Sequence, residues 1–478
     1  MRAMQGSDPH PERILFLTGS LAERRLRRAL EAMAPQEFAW EVRPIGVKVA
    51  ALMTTEIIRR RLKDLNGASR VLLPGRSRVN LAALSETFGA RFERGPDDLN
   101  DLPRHFGREG GPPDLSRYDM RIFAEIVEAP TLGTEQILAC AAEYRAAGAD
   151  MIDLGCLPDT PFPHLEDAVA ALKAAGHAVS VDSGDPEELR RGQRAGADFL
   201  LSLTEKTLAI AEEGDAVPVL IPAEPGDLDS LTRAIEAMQA RGRAFLADPV
   251  LDPIHFGFTE SLMRYRELRR RFPDVEMLMG IGNLTELTDA DSAGVTAVLS
   301  GICSELSIRN LLVVRVSPHC RRAIEEADAA RRLFFAARER DALPMNLSDA
   351  LIALHERRPF PNTPEEIAEL QREITDPNWR IEASEAGIHL YNRDRHEVAA
   401  DPFAFFPALK GVVDAPHAFY LGVELARAQI AFQLGKRYVQ DRELDWGVAV
   451  PRAPEALDRF EAPGATLARD APQEGEEE

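Results

Sequence analysis

The chain has 478 residues, 45% of them apolar and 28% charged, the balance of a folded chain with several cores. That excludes a disordered polymer, a collagen and a disulfide-stapled miniprotein. Lys and Arg total 57 against 78 Asp and Glu, a formal net charge of −21, so neither a nucleic-acid nor an anionic-membrane partner is expected.

The start, MRAMQGSDPHPER, lacks the apolar segment of a signal peptide, and no run approaches the roughly 18 apolar residues of a membrane span. A soluble, cytoplasmic protein is expected. Cys140, Cys156, Cys303 and Cys320 have no metal-ligand spacing and read as buried free thiols.

Residues 13–110 read as a small N-terminal α/β domain. ILFLTGS is a buried strand breaking at Gly19, and LAERRLRRALEAM follows as an amphipathic helix. RVLLPG is a second strand, with a helix near LAALSETFG. REGGPPD, Arg108 to Asp114, has linker composition.

Residues 118–335 keep a regular beat of short apolar runs between Ala- and Arg-rich helices. RIFAEIVEA, ADMIDLG, AVSVDS, DFLLSL, VPVLIPA, AFLADPV, EMLMGIGN and LLVVRVS are eight predicted strands. Two helices end alike, in Gly148-Ala149-Asp150 and Gly196-Ala197-Asp198, with glycine at the left-handed stop before the next strand. Eight strands with crossover helices over about 200 residues predict a (β/α)8 TIM barrel.

Residues 343–452 read as a C-terminal α+β domain. PFPNTPEE carries helix-start chemistry, GIHLYN is a strand, and AFYLGVELARAQIAFQLGKRYVQD is a long helix with Leu421, Leu425, Ile430 and Leu434 on or near one face. Residues 453–478 drift into Pro, Ala and Glu and are expected to be a disordered acidic tail.

In such a barrel the reactive groups gather at the C-terminal ends of the strands. Strand two ends at Asp153, strand three at Asp182, and strand four holds Ser202. Strand six ends in LADPVLDP, offering Asp248 and Asp252, strand seven runs through Gly280 to Asn283, and strand eight leads to Arg315, Ser317 and His319. The run TELTDAD clusters carboxylates but reads as a solvated helix start.

These ends resemble dihydropteroate synthase and its pterin-binding relatives. GADMIDLG is similar to the family's second-strand Asp-Ile-Gly-Gly pattern and VSVDS to its Ser-Ile-Asp-Thr. LADPVLDPIHFGFT is similar to its Asp-Pro-Gly-Ile-Gly-Phe-Gly-Lys stretch, and VRVSPH to its terminal Arg-Val-His with two residues inserted. The four matches keep their order between about Arg121 and Ala330. With its flanking segments the whole chain resembles the dihydropteroate synthase-related proteins of tetrahydromethanopterin-dependent one-carbon metabolism.

The resemblance implies a transferase that condenses a dihydropterin methyl diphosphate with an arylamine and releases pyrophosphate. Asp248 or Asp252, with Asp248 preferred, would accept the two parallel N–H groups of the pterin's aminopyrimidinone edge. Asp153, Asp182, Ser202, Gly280 and Asn283 would line the rest of the pterin site. Arg315 and His319 would be the catalytic pair that holds the departing diphosphate, together with a magnesium ion. Arg315 could instead salt-bridge a barrel acid such as Glu305, and His319 could cap the next helix.

The chain also departs from the family. It has Gly282-Asn283-Leu284 where the family has Ser-Arg-Lys, EAPTLGTEQ in place of Asn-Val-Thr-Pro-Asp-Ser-Phe, and CLPDTPF in place of Glu-Ser-Thr-Arg-Pro-Gly. The expected arylamine is therefore bulkier than p-aminobenzoate: a ribofuranosylaminobenzene phosphate. Asn283 also fits a methyltetrahydropterin methyltransferase, and the missing lysine a non-catalytic pterin-binding or complex-organising protein. A homodimer is expected; His417 and Tyr420 could reach a neighbouring subunit or the barrel mouth, a packed interface being the default reading.

Overall fold

The computed structural model describes residues 12–47, 53–75, 77–96, 99–107 and 113–451, in two compact units. The N-terminal peptide, most of the expected linker and the expected acidic tail lie outside the described residues. In the first unit, β1 (Arg13–Thr18), β2 (Ala39–Pro44), β3 (Arg70–Leu73) and β4 (Arg91–Arg94) form a parallel sheet in the order β2-β1-β3-β4. Both faces of β1 are covered: Ile14 and Phe16 pack with Leu26 and Leu30, while Leu15 and Leu17 pack with Ile58 and Leu84. A strand buried on both faces reads as an apolar run; the edge strands AWEVRP and RFER carry charges and form no such run.

In the second unit β5 (Arg121–Ile126), β6 (Met151–Gly155), β7 (Ala178–Asp182), β8 (Phe199–Leu203), β9 (Val217–Leu220), β10 (Leu246–Ala247), β11 (Leu278–Gly280) and β12 (Asn310–Val314) pair in parallel. The ladder runs β10-β9-β8-β7-β6-β5-β12-β11, and one parallel bridge, Ala247 to Met277, joins its two ends into a barrel. All eight expected strands are present. After β8 the crossover is a 3-10 turn, Leu208–Glu212, in place of a full helix.

Side chains alternate across these strands with period two. Ile122, Ala124, Ile152, Leu154, Val179, Val181, Leu311 and Val313 face the surrounding helices. Phe123, Met151, Phe199, Leu201, Val219, Leu246 and Leu278 point inward and plug the barrel. The repeated Gly-Ala-Asp ending has a physical role here. Gly148 and Gly196 take φ of 117° and 93°, and each following aspartate accepts a backbone N–H of a neighbouring strand: Asp150 from Ile122, Asp198 from Val179.

The C-terminal segment builds an antiparallel sheet from β13 (Arg380–Ser384), β14 (Gly387–Tyr391) and β15 (His396–Ala399), covered by the helix Ala415–Leu434. The buried face of that helix is Leu421, Glu424, Leu425, Ala428 and Ala431. Ile430, expected on it, is 40% exposed, and Leu434 is only half-buried. Small alanines leave room for the sheet, so the helix turns them inward. Thr363 caps the helix Pro364–Arg372 in a capping box with Glu366.

The flanking segments, expected as separate domains, come together in the first unit. Arg25 donates to Asn362 Oδ1 at 2.5 Å and to the Pro361 carbonyl at 3.1 Å, and Arg358 pairs with Asp101 at 2.9 Å. Residues Trp446–Pro451 belong to the barrel unit, where Arg322 donates to the Val448 carbonyl at 2.8 Å. Of the cysteines, Cys303 and Cys320 are buried, whereas Cys140 and Cys156 are half-buried; all four are free thiols. No described helix is long and apolar enough to cross a membrane.

Candidate functional site at the barrel mouth

Two residues beyond the apolar plug the inward positions become acidic. Glu125 follows Phe123 on β5, Asp153 follows Met151 on β6, Asp182 ends β7, and Asp248 follows Leu246 past β10. Glu125 and Asp153 are register partners, and Gly155 is the partner of Asp182. One carboxylate oxygen from each of Glu125, Asp153 and Asp182 lies within 4.8 Å of the other two.

Asp153 is completely buried. Its Oδ1 accepts the hydroxyl of Ser180, and its Oδ2 has no hydrogen-bond partner among the described residues. Burial, and then the charges of Asp182 and Glu125, push its pKa well above the usual carboxylate range. Glu125 is pushed up to about 7 by burial and by Asp182. Asp182 is raised by burial too, opposed by the hydroxyl of Ser202, which donates at 2.6 Å.

Ser202 reaches Asp182 through an irregular backbone. The β8–β9 register shifts between Leu200 and Leu203, and Ser202 takes φ of 76°. A non-glycine residue there costs on the order of 1–3 kcal/mol, a strain that brings the hydroxyl onto the half-buried acid.

Asp248 and Asp252 part company. Asp248 is 8% exposed; its Oδ1 accepts from Tyr265 at 2.5 Å and from the Val250 N–H at 2.8 Å. Burial pushes it up to about 6, against the two hydrogen bonds. Asp252 is ion-paired to Arg264 at 2.6 Å, so its charge is already answered. Gly280 lies on the inner face of β11, where a Cβ would meet nothing closer than Leu312 at 4.0 Å, leaving the mouth open. Asn283 is exposed and donates to the Leu251 carbonyl at 2.8 Å, tying together the loops after β10 and β11.

The expected cationic pair does not converge. On β12 Leu312 faces the plug and Val313 the helices, so Arg315 continues the outward set. Its guanidinium pairs with Glu143 at 3.0 Å and lies 4.7 Å from the Tyr144 ring centre, on the helix Thr134–Ala147. The acid that answers it is Glu143, not Glu305. His319 sits on the 3-10 turn Pro318–Cys320 with Nε2 3.1 Å from the Thr285 carbonyl. The acidic run 285–291 is not simply solvated: Glu286 accepts the N–H groups of Val316 and Ser317, both at 2.8 Å.

Glu125, Ser180 and Tyr265 were not among the expected site residues. Glu125 and Ser180 could have been found by carrying the alternation of Phe123 and of Asp182 along their strands. Tyr265 lies on the helix Phe258–Arg271, far along the chain from any strand end.

Fold and site together define a (β/α)8 barrel protein with four inward carboxylates at its mouth. Residues 12–97 match a family of unknown function, DUF6513. The chain is 26% identical over 527 aligned positions to an uncharacterised protein of Methanocaldococcus jannaschii, spanning 90% of this chain and 99% of that one. Among solved structures it is similar to a 7,8-dihydropteroate synthase from Vibrio fischeri, at 18% identity and a TM-score of 0.37 over 47% of this chain and 94% of that one. A dihydropteroate synthase from Thermus thermophilus in complex with 6HMPPP gives 23% identity and a TM-score of 0.36 over 47% and 95%. One from Coxiella burnetii in complex with pteroic acid gives 16% and 0.38 over 47% and 95%.

Proposed function

We propose that the protein binds a pterin in the barrel mouth and acts as a transferase of the dihydropteroate synthase kind, joining a dihydropterin methyl diphosphate to an arylamine. The observation that carries this reading is Asp248: a buried carboxylate at the end of the sixth barrel strand, steadied by Tyr265 and Val250 and not answered by any ion pair among the described residues. An aminopyrimidinone edge offers two parallel N–H donors, which an ionised carboxylate accepts as a fork. Asp182 and Ser202, already hydrogen-bonded to each other, would meet the other ring heteroatoms.

Loss of pyrophosphate leaves a cationic methylene conjugated with the ring, and the amine nitrogen attacks it, losing a proton. The protein's part is to hold ring and amine in contact and to keep bulk water out. An acidic mouth suits the methylene cation. It does not suit a bare diphosphate, whose negative charge calls for magnesium. The remodelled loops CLPDTPF and EAPTLGTEQ support an amine larger than p-aminobenzoate, a ribofuranosylaminobenzene phosphate as in tetrahydromethanopterin synthesis. A homodimer belongs to the same reading.

The outward turn of Arg315 favours a second reading, a methyltetrahydropterin methyltransferase, which needs no diphosphate ligand. Dissociation constants for hydroxymethyldihydropterin and its diphosphate ester, each with and without magnesium, separate the two. The transferase reading expects the ester to bind more tightly than the alcohol once magnesium is present. Equal affinities under both conditions would overturn it in favour of methyl transfer.

A further inference from the structure

We infer that Glu125, Asp153 and Asp182 form a preformed divalent-cation site that fills before any substrate arrives. Three observations carry this. Their oxygens lie within 4.8 Å of one another, the spread of ligands around an ion with bonds of about 2.3–2.6 Å. Asp153 Oδ2, completely buried, has no hydrogen-bond partner among the described residues, while its other oxygen is taken by Ser180. Glycine at position 155 keeps the cluster open: a Cβ there would collide with Glu125 Oε1 and crowd the Val127 Cα at 3.2 Å.

The electrostatics point the same way. Among the described residues no Lys or Arg is ion-paired to any of the three carboxylates. Like charges crowded around the buried Asp153, with Glu125 and Asp182 half-buried, repel one another and lose hydration without a counter-charge, and a cation relieves both costs at once. The donors are all carboxylate oxygens, with no histidine or thiolate, so a hard ion such as Mg2+, Mn2+ or Ca2+ is selected over zinc or copper. Filling the site needs no diphosphate; only its use, to hold a phosphate group where Arg315 does not reach, rests on the transferase reading.

The test is a Mn2+ titration of the metal-stripped full-length protein without pterin, following the resonance of free Mn2+. One ion per chain should bind. Glu125→Gln and Asp153→Asn should each weaken it by about tenfold or more, with melting temperature as the control for folding. Gly155→Ala keeps all three carboxylates but displaces Glu125, so it should weaken Mn2+ too and keeps the test decisive if the neutral variants do not fold. No bound Mn2+ up to millimolar concentration, or unchanged affinity in folded Glu125→Gln and Gly155→Ala, would overturn the site. Pterin binding measured separately keeps the two readings apart: loss of that alone strikes the pterin assignment and leaves the metal site standing.

Discussion

The hydroxyl of Tyr265 donates to Asp248 Oδ1 across 2.5 Å, with the tyrosine completely buried and the aspartate nearly so. One helix residue thus fixes the orientation of the carboxylate that the proposed function gives to a pterin ring. Tyr265→Phe keeps the ring and deletes the donor. Oδ1 keeps the Val250 N–H, so the variant should cost about 1.5–3 kcal/mol of stability, the usual worth of one hydrogen bond to a charged group, and should weaken pterin binding at neutral pH. Urea unfolding and calorimetry measure the two effects; a fully stable variant with wild-type affinity would leave Tyr265 without this role.

Asp248 also sets a pH dependence. Its pKa in the fold is raised to about 6 from an ordinary 3.8, so the folded state holds more protons than the unfolded one between those values. The contribution of this group to stability therefore falls as pH rises through that window. Asp248→Asn, which cannot ionise, should gain on wild type between pH 4 and 7 and then level, by about 3 kcal/mol in all. The same variant should lose about 1.5–3 kcal/mol of pterin binding, since an amide satisfies only one of two ring donors.

For the ligand the sign reverses. The fork requires the ionised carboxylate, so pterin affinity in the wild type should fall about tenfold from pH 7 to pH 5. Flat affinity over that range would remove Asp248 from the ring contact and pass the assignment to Asp252, the partner of Arg264.

Arg315→Ala removes an ion pair to Glu143 and a contact with the Tyr144 ring on the outside of the barrel. It should lower the melting temperature modestly and change the affinities for hydroxymethyldihydropterin and its diphosphate by the same factor. A selective loss of the diphosphate ester would return Arg315 to the mouth.

In the C-terminal sheet His389 Nδ1 faces His396 Nε2 at 2.8 Å, and His389 Nε2 faces Ser384 Oγ at 2.7 Å. A single proton serves the two facing ring nitrogens; a second would set N–H against N–H. Burial, and then His396, hold His389 down to about 4. A depressed histidine favours its neutral form in the fold, so stability should be full above the ordinary histidine value of 6.5 and decline as pH falls toward 4. Ring-proton NMR should show His389 still neutral at pH 5.5; a midpoint near 6.5 would contradict the packing.

The barrel was legible because its strands are covered on both faces and its helices stop at glycine. Asp182 and Asp248 are legible because each ends a hydrophobic run, and Asp153, inside MIDLG and followed by Leu154, through its similarity to the Asp-Ile-Gly-Gly pattern. Glu125 was not: it lies inside RIFAEI, where an acid in a strand passes for an exposed side chain unless the alternation from Phe123 is followed. Arg315 is obscured for the complementary reason: the motif order points it to the mouth, whereas the alternation of Leu312 and Val313 turns it outward. The Tyr265 contact and the joining of the first and last segments arise from tertiary packing over long separations, which leaves no local mark in the chain.

The barrel wall is closed by a single rung, Ala247 to Met277, where the Ala247 N–H donates to the Glu276 carbonyl at 3.0 Å. Elsewhere every strand shares two or more register positions with its neighbour, so the wall parts most cheaply at that seam. Asp248 is the next residue beyond it. A molecule held by Asp248 on one side of the seam and by the loop after β11 on the other would act as a clasp. Occupancy of the mouth should then be written in the slowing of amide exchange at Ala247, far more than in the already well-laddered strands β5 to β7.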